Sequence, residues 1–183
     1  MPVYIALLRG INVGGHKIVK MAELKTLCES LGLRDVRTHL QSGNVVFRAK
    51  RSDQARLAKK LESALSVESK VIVRSADEVR KAIEANPMLA DAEREPSHFI
   101  VVFLSGQPST AAMKSLRDAY PGPEPMQLHG SELYIHYGEG MARSKLTNVL
   151  IERKLGITGT ARNWNTVTRL IVIADEIALL PET

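Results

Sequence analysis

A single cysteine, Cys28, leaves this chain with no possible internal disulfide, which suits a reducing compartment. Aromatic side chains are scarce, at 4% of residues with one tryptophan. Long apolar runs are missing as well: none approaches the roughly 20 residues that span a bilayer. Met1-Pro2-Val3 leads straight into an apolar segment, so no charged leader is expected. His16, His39, His98, His129 and His136 show no metal-ligand spacing, and Cys28 lies on an apolar helical stripe. No metal site and no cofactor are therefore expected. Together these absences point to a cytoplasmic protein without membrane association.

What is present suits a folded chain. Hydrophobic residues make up 44% and charged residues 25% of 183 residues, enough for a real core in one domain or two small ones. The net charge of +5 permits attraction to phosphate groups or nucleic acid without demanding it. Lys50-Arg51, Lys59-Lys60 and Arg80-Lys81 are scattered pairs, most simply solvated helix faces and strand ends.

Strand and helix signals alternate in an order that occurs twice. The first pass predicts a strand at Val3–Leu8 and a helix at Met21–Leu31, with Met21, Leu24, Leu27, Cys28 and Leu31 on one face. Strands near Val36–Leu40 and at Val45–Arg48 flank the turn Gln41-Ser42-Gly43-Asn44. A helix at Ser52–Leu65, a strand at Lys70–Arg74 and a helix at Ala76–Ala85 complete the pass. Asn86-Pro87 and the charged segment Asp91–Pro96 read as a connection. The second pass predicts a strand at His98–Leu104, a helix at Thr110–Ala119, and strands at Met126–His129 and Leu133–Tyr137. A helix at Ser144–Leu155, a strand at Thr158–Arg162 and a helix at Asn163–Ala174 close it.

Each pass is β-α-β-β-α-β followed by one extra helix, the order of the split βαβ, ferredoxin-like motif. The expected fold class is α+β, with two tandem ferredoxin-like βαββαβ units at residues 1–90 and 91–183, packed closely on each other. Val3–Leu8 and His98–Leu104 are apolar almost throughout, which implies that both faces of each sheet are covered. An RNA-recognition motif shares this order but leaves one face open, with aromatics to stack bases. Val45–Arg48 offers only Phe47, so no base-stacking platform is expected.

The longest elaborated connection is Arg9–Lys20, with Gly10, Gly14 and Gly15, the cations Arg9, Lys17 and Lys20, and His16. Connections in compact domains usually run about four to six residues, and longer ones tend to be functional or disordered. Its second-pass counterpart, Ser105–Thr110, is short. Topology puts the Arg9–Lys20 loop and the Gln41–Asn44 turn at one end of the first sheet. In the second pass the glycine-rich and basic loops, Gly138–Lys145 and Arg162–Thr166, fall at the opposite end. The two loop-rich ends are expected to converge on one cleft.

Each motif has a functional and a purely structural interpretation. Gly10 and Gly15 have the spacing of a Walker A loop, but His16 separates Gly15 from Lys17 and no hydroxyl follows. Backbone N–H groups near Asn12, Gly14 and Gly15 either cradle an anion beside Arg9 and Lys17 or simply shape the loop. Gln41, Ser42 and Asn44 supply hairpin chemistry or ligand contacts. No triad partners for Ser42 are recognisable. Arg143, Ser144 and Lys145 precede a predicted helix with Ser144 as N-cap, and they offer an anion seat. Arg162 and Asn163 repeat the device, with Asn165 following. Trp164 is either a buried packing residue or a stacking surface. Glu139 is the one acid inside a candidate loop and the available general base; no catalytic residue is assigned.

Four segments carry a resemblance. Leu8–Gly15, Gln41–Phe47, Lys145–Asn148 and Thr160–Val167 are similar, in order, to hallmark segments of the bacterial domain-of-unknown-function family 1697. Val149 and Ala161 depart from the family pattern, which usually has Asn and Thr there. The resemblance implies an α+β fold with related subdomains in a bacterial cytoplasmic protein, and it implies no activity. Three functional readings follow from the residues. The favoured one is binding of an anionic, phosphate-bearing ligand, a nucleotide or nucleic acid, among the basic and glycine-rich loops. The alternatives are an enzyme acting on a small phosphorylated or carboxylated substrate and a protein-interaction module.

Overall fold

The computed structural model describes residues 1–181. Its elements run β1 (Val3–Leu8), α1 (Met21–Ser30), β2 (Arg34–His39), β3 (Asn44–Arg48), α2 (Gln54–Ala64), β4 (Val71–Ser75), α3 (Ala76–Glu84) and α4 (Leu89–Arg94). They continue as β5 (Phe99–Leu104), α5 (Thr110–Ala119), β6 (Met126–His129), β7 (Glu132–His136), α6 (Asn148–Leu155), β8 (Gly159–Asn163) and α7 (Trp164–Ala178). Among the described residues this is a mixed α+β protein with two four-stranded antiparallel sheets and seven α-helices. Among the described residues no helix is long and apolar enough to cross a membrane.

Both sheets have the same strand order, β2-β3-β1-β4 and β6-β7-β5-β8. The apolar strands β1 and β5 take central positions because a strand paired on both edges loses least by being buried. Ile5 lies opposite Val46 on one side and Arg74 on the other, and Val101 lies between Tyr134 and Arg162. β1 and β2 both run antiparallel to β3, so the exit of β1 and the β2–β3 hairpin share one end of the sheet. Leu8 N–H donates to Gly43 O at 2.9 Å there.

Alternate residues of each central strand feed a core under helices. Tyr4, Ala6 and Leu8 pack with Leu24 and Cys28 of α1 and with Leu57 and Leu61 of α2. Ile100, Val102 and Leu104 pack with Met113 and Leu116 of α5 and with Ile151 and Leu155 of α6. Each Leu, Ile, Val or Met among them contributes about 1.5–3 kcal/mol by leaving water. The intervening residues Ile5, Leu7, Val101 and Phe103 are also buried, as continuous apolarity requires.

The structure departs from the sequence-based elements in three places. The segment after Asn86-Pro87, expected as a connection, forms α4: Ala92 is fully buried, Arg94 pairs with Asp91, and Pro96 follows the end. The helix expected from Ser144 begins at Asn148, because Thr147 Oγ1 accepts the Leu150 N–H at 3.2 Å and acts as the cap. Ser144 instead follows a short 3₁₀ turn, Met141–Arg143. Finally, α7 continues past Ala174, since Ile173, Ala174 and Ile177 extend its buried stripe.

Residues 1–81 together with those from Thr168 onward form one compact unit, and residues 82–167 form the other. Within the first unit, Arg48 on β3 is buried, 2% exposed. Its guanidinium donates to Ile177 O at 2.6 Å, Ala178 O at 3.1 Å and Leu180 O at 2.8 Å. These acceptors sit at and just beyond the end of α7: the Ala178 carbonyl has no helical donor, Ile177 O also accepts the Leu180 N–H at 3.0 Å, and Leu180 follows the helix. Asp35 supplies the counter-charge at 3.2 Å from a position with φ of 51°, where the β2–β3 register shifts.

Arg48→Ala is expected to cost about 2–4 kcal/mol by urea unfolding, since buried carbonyls lose a charged donor. Arg48→Lys should recover only part, because an ammonium lacks the guanidinium fork. Cys28 provides a pH test. Burial first, and Glu29 second, push its thiol from 9.0 up to about 12. The folded state therefore holds the proton that the unfolded state releases, and stability should fall as pH rises from about 9 toward 12. A Cys28→Ala variant should lack that component of the alkaline loss in pH-dependent unfolding.

Candidate functional site

The loop between β1 and α1 is held at its base by one side chain. Asn12, at φ 54°, adopts the left-handed conformation that asparagine tolerates. Its Nδ2 donates to Val19 O at 2.9 Å and to Gln41 O at 2.8 Å, while Oδ1 accepts Val19 N–H at 2.8 Å. One amide thus closes the loop and ties it to the β2–β3 hairpin. Beyond the clamp the chain makes a small hairpin: Asn12 N–H donates to Lys17 O and His16 N–H to Val13 O. Gly14 and Gly15, both at positive φ, and Lys17 form its exposed tip.

The neighbouring turn is equally constrained. Gly43 sits at φ 80°, and a Cβ there would lie 2.6 Å from Ile11 Cδ1, so only glycine permits the approach. Asn44 is fully buried, with Nδ2 donating to His39 O at 2.6 Å and Ser42 Oγ at 3.1 Å. Gln41 and Ser42 are exposed, and Arg9 is half-buried with its carbonyl accepting from Ser69 Oγ. Asn12 and Asn44 therefore build the loop end, whereas Lys17, Gln41 and Ser42 face solvent.

In the second unit, Gly138–Lys145 is clamped in a comparable way. Tyr137 Oη, fully buried, donates to Leu146 O at 2.8 Å, and Gly140 N–H donates to Tyr137 O at 2.9 Å. The loop borders a cavity of about 560 Å³ lined by Tyr120, Glu124, His136, Glu139, Arg143, Ser144 and Lys145, with Pro123, Pro125, Gly138 and Gly140 completing it. Arg143, Ser144 and Lys145 are thus brought together with residues from the α5–β6 segment. Ser144 is not a helix cap. Its Oγ accepts Leu146 N–H at 3.0 Å and lies 3.3 Å from Tyr120 Oη, which donates to Glu124 at 2.5 Å. Burial raises the Glu124 carboxyl, but hydrogen bonds from Ser144 and Tyr120 outweigh it and hold the group below its ordinary value. The same contact with Glu124 pushes the Tyr120 phenol up.

The segment ending β8 is more deeply set. Arg162 is 6% exposed and donates to Thr160 Oγ1 and Ala161 O, each at 2.8 Å. Burial brings its guanidinium down to about 10. Asn163 Oδ1 accepts Thr166 N–H at 2.9 Å, capping α7 as expected. Trp164 is buried and meets Phe99 edge-on, with ring centroids 5.7 Å apart. Asn165 is exposed.

The sequence pattern missed the most chemically notable pair. His136 Nε2 lies 2.6 Å from Glu95 Oε2, across 41 residues, and His136 lines the cavity. Glu139, the general base available from sequence, is exposed at the rim. The one available signal was a histidine at the end of β7, immediately before the Tyr137-Gly138 start of the loop. Among the described residues, no group of three or more His, Cys, Asp or Glu is arranged to hold a metal ion.

These features define an α+β protein of two four-stranded antiparallel sheets, with a cavity in its second unit that charged and polar side chains border. The family model described as a protein of unknown function, DUF1697, matches residues 1–134, and the chain belongs to that family. A solved structure, that of the conserved bacterial protein SP0830 from Streptococcus pneumoniae, is similar at a TM-score of 0.70 and 22% identity. The match covers 94% of this chain and 98% of that one, and at this identity it shows a shared fold. No curated protein matches the chain.

Removing the Asn12 clamp should loosen its loop without dismantling the sheet. Asn12→Ala deletes three hydrogen bonds, so amide exchange at residues 12–19 should accelerate about tenfold or more. Exchange in β1 and β3 should change little when measured by hydrogen–deuterium exchange.

Proposed function

We propose that this protein binds a small phosphate-bearing anion, of nucleotide size or less, in the cavity of its second unit. The observation that carries the reading is the meeting of Arg143, Ser144 and Lys145 with Tyr120 and His136 around one cavity of about 560 Å³. That volume falls in the usual range for small-molecule sites, roughly 300–1,000 Å³. Two cations and a hydroxyl give a phosphate both charge and directed hydrogen bonds. The cavity suits a discrete small ligand better than a nucleic-acid strand, which needs an extended basic track and exposed aromatics. The exposed Gly14–Lys17 tip, taken by itself, is a second proposed anion contact. We also read each sheet with its helices as a ferredoxin-like unit; the repeated βαββαβ order and the identical strand order support it.

Titration with inorganic phosphate and with pyrophosphate, followed by amide NMR, tests the binding. Saturable shifts should concentrate at residues 138–146. Combined Arg143→Ala and Lys145→Ala substitution should weaken phosphate affinity about tenfold or more with little change in the unfolding transition. An absence of saturable shifts with both anions overturns the reading.

A further inference from the structure

Anion binding leaves one group in the cavity unused. The β5–β7 register places Phe99 opposite His136, and the imidazole lies near-parallel to the Phe99 ring, with centroids 6.5 Å apart and planes at 26°. Phe99 is braced by Trp164. At the end of α4, the Glu95 carbonyl accepts N–H groups from both His98 and Phe99 at 3.0 Å. This tight turn brings the Glu95 side chain back toward the ring, where Oε2 meets Nε2 at 2.6 Å. The His136 side chain is only 11% exposed. Its rotamer is therefore set by packing on one face and by a carboxylate at one nitrogen.

A carboxylate acceptor at Nε2 selects the tautomer with hydrogen on Nε2 and leaves the Nδ1 lone pair for proton exchange. Among the described residues, Nδ1 makes no hydrogen bond. The charged and titratable groups lining the same cavity are Tyr120, Glu124, Glu139, Arg143 and Lys145, while Arg94 Nε approaches Glu95 at 3.9 Å. A base with an oriented tautomer, in a cavity whose lining also carries two cations and two carboxylates, suits proton transfer on an anionic substrate.

We propose that His136 is the proton-exchanging residue of this cavity and Glu95 its positioning residue, making it an acid–base active site for a small phosphorylated or carboxylated substrate bearing a hydroxyl. The inference rests on the anion-binding reading. In the forward step the substrate O–H bond breaks, its electron pair stays on oxygen, and the proton adds to Nδ1. Glu95 stabilises the resulting imidazolium, and the reverse step returns the proton from Nδ1 to that oxygen.

Long-range proton–nitrogen NMR of the histidine rings in the full chain, with inorganic phosphate as the probe, tests the proposal. The neutral His136 ring should carry its hydrogen on Nε2. Phosphate should shift the Nδ1 resonance together with the Arg143 and Lys145 amides. Glu95→Leu, which leaves no acceptor at Nε2, should abolish the tautomer preference while leaving the remaining amide spectrum in place; a retained preference counts against the positioning role. The native tautomer and the phosphate response need no variant, so misfolding of E95L leaves both tests intact. A ring protonated on Nδ1, or one silent to phosphate while Arg143 and Lys145 respond, overturns this inference and leaves the binding reading standing. No response at any of these residues removes both.

Discussion

Burying a guanidinium is tolerable only where acceptors replace most of the displaced water, and the first unit is arranged around that condition at Arg48, whose two terminal nitrogens are bonded while Nε is buried without a partner. The end of α7 has the complementary problem, carbonyls with few helical donors left. Each solves the other: Arg48 donates to Ile177, Ala178 and Leu180. The consequence reaches the chain's organisation, because residues from Thr168 onward belong with the first sheet. Asp35 joins at the strand irregularity, where a left-handed residue turns its carboxylate toward the same cation.

The two sheets answer one topological problem with different loops. In the first, the exit of β1 is elaborated and the exit of β3 is plain; in the second, the exit of β5 is short and that of β7 is long. Both long loops use the same device, a side chain that spans their base. Asn12 does so with its amide and Tyr137 with its phenol. Once the base is closed, the residues beyond it need not hold the loop shut. In the second unit those residues border the cavity, and Ser144 is held there through Tyr120 and Leu146 rather than as the cap of a helix.

Periodicity made most of the framework legible. The continuous apolarity of β1 and β5 predicted central, covered strands, and the stripe through Leu24 and Cys28 predicted the buried face of α1. Local competition explains the misses. Asp91–Pro96 looked like a connection because its charges dominate, yet one buried alanine and an ion pair suffice for the six-residue helix α4. Ser144 looked like a cap, but Thr147 stands three residues closer to the buried stripe and takes the role. The loop end of the first unit was anticipated as an assembly, since strand direction alone brings the β1 exit beside the hairpin. That Asn12 would join them was not legible, because a left-handed asparagine leaves no mark on the hydrophobic pattern.

By itself the sequence determined which segments become strands and helices, which faces they bury, and that the chain carries two similar sets of elements. These follow from side-chain polarity at short range, where spacing along the chain is spacing in space. Only the tertiary structure decided which polar groups meet. Arg48 finds carbonyls about 130 residues away, and His136 finds Glu95 across 41 residues through the β5–β7 register and the turn before it. A buried charge or an oriented imidazole is defined by its partner, and strand pairing, rather than composition, supplies that partner.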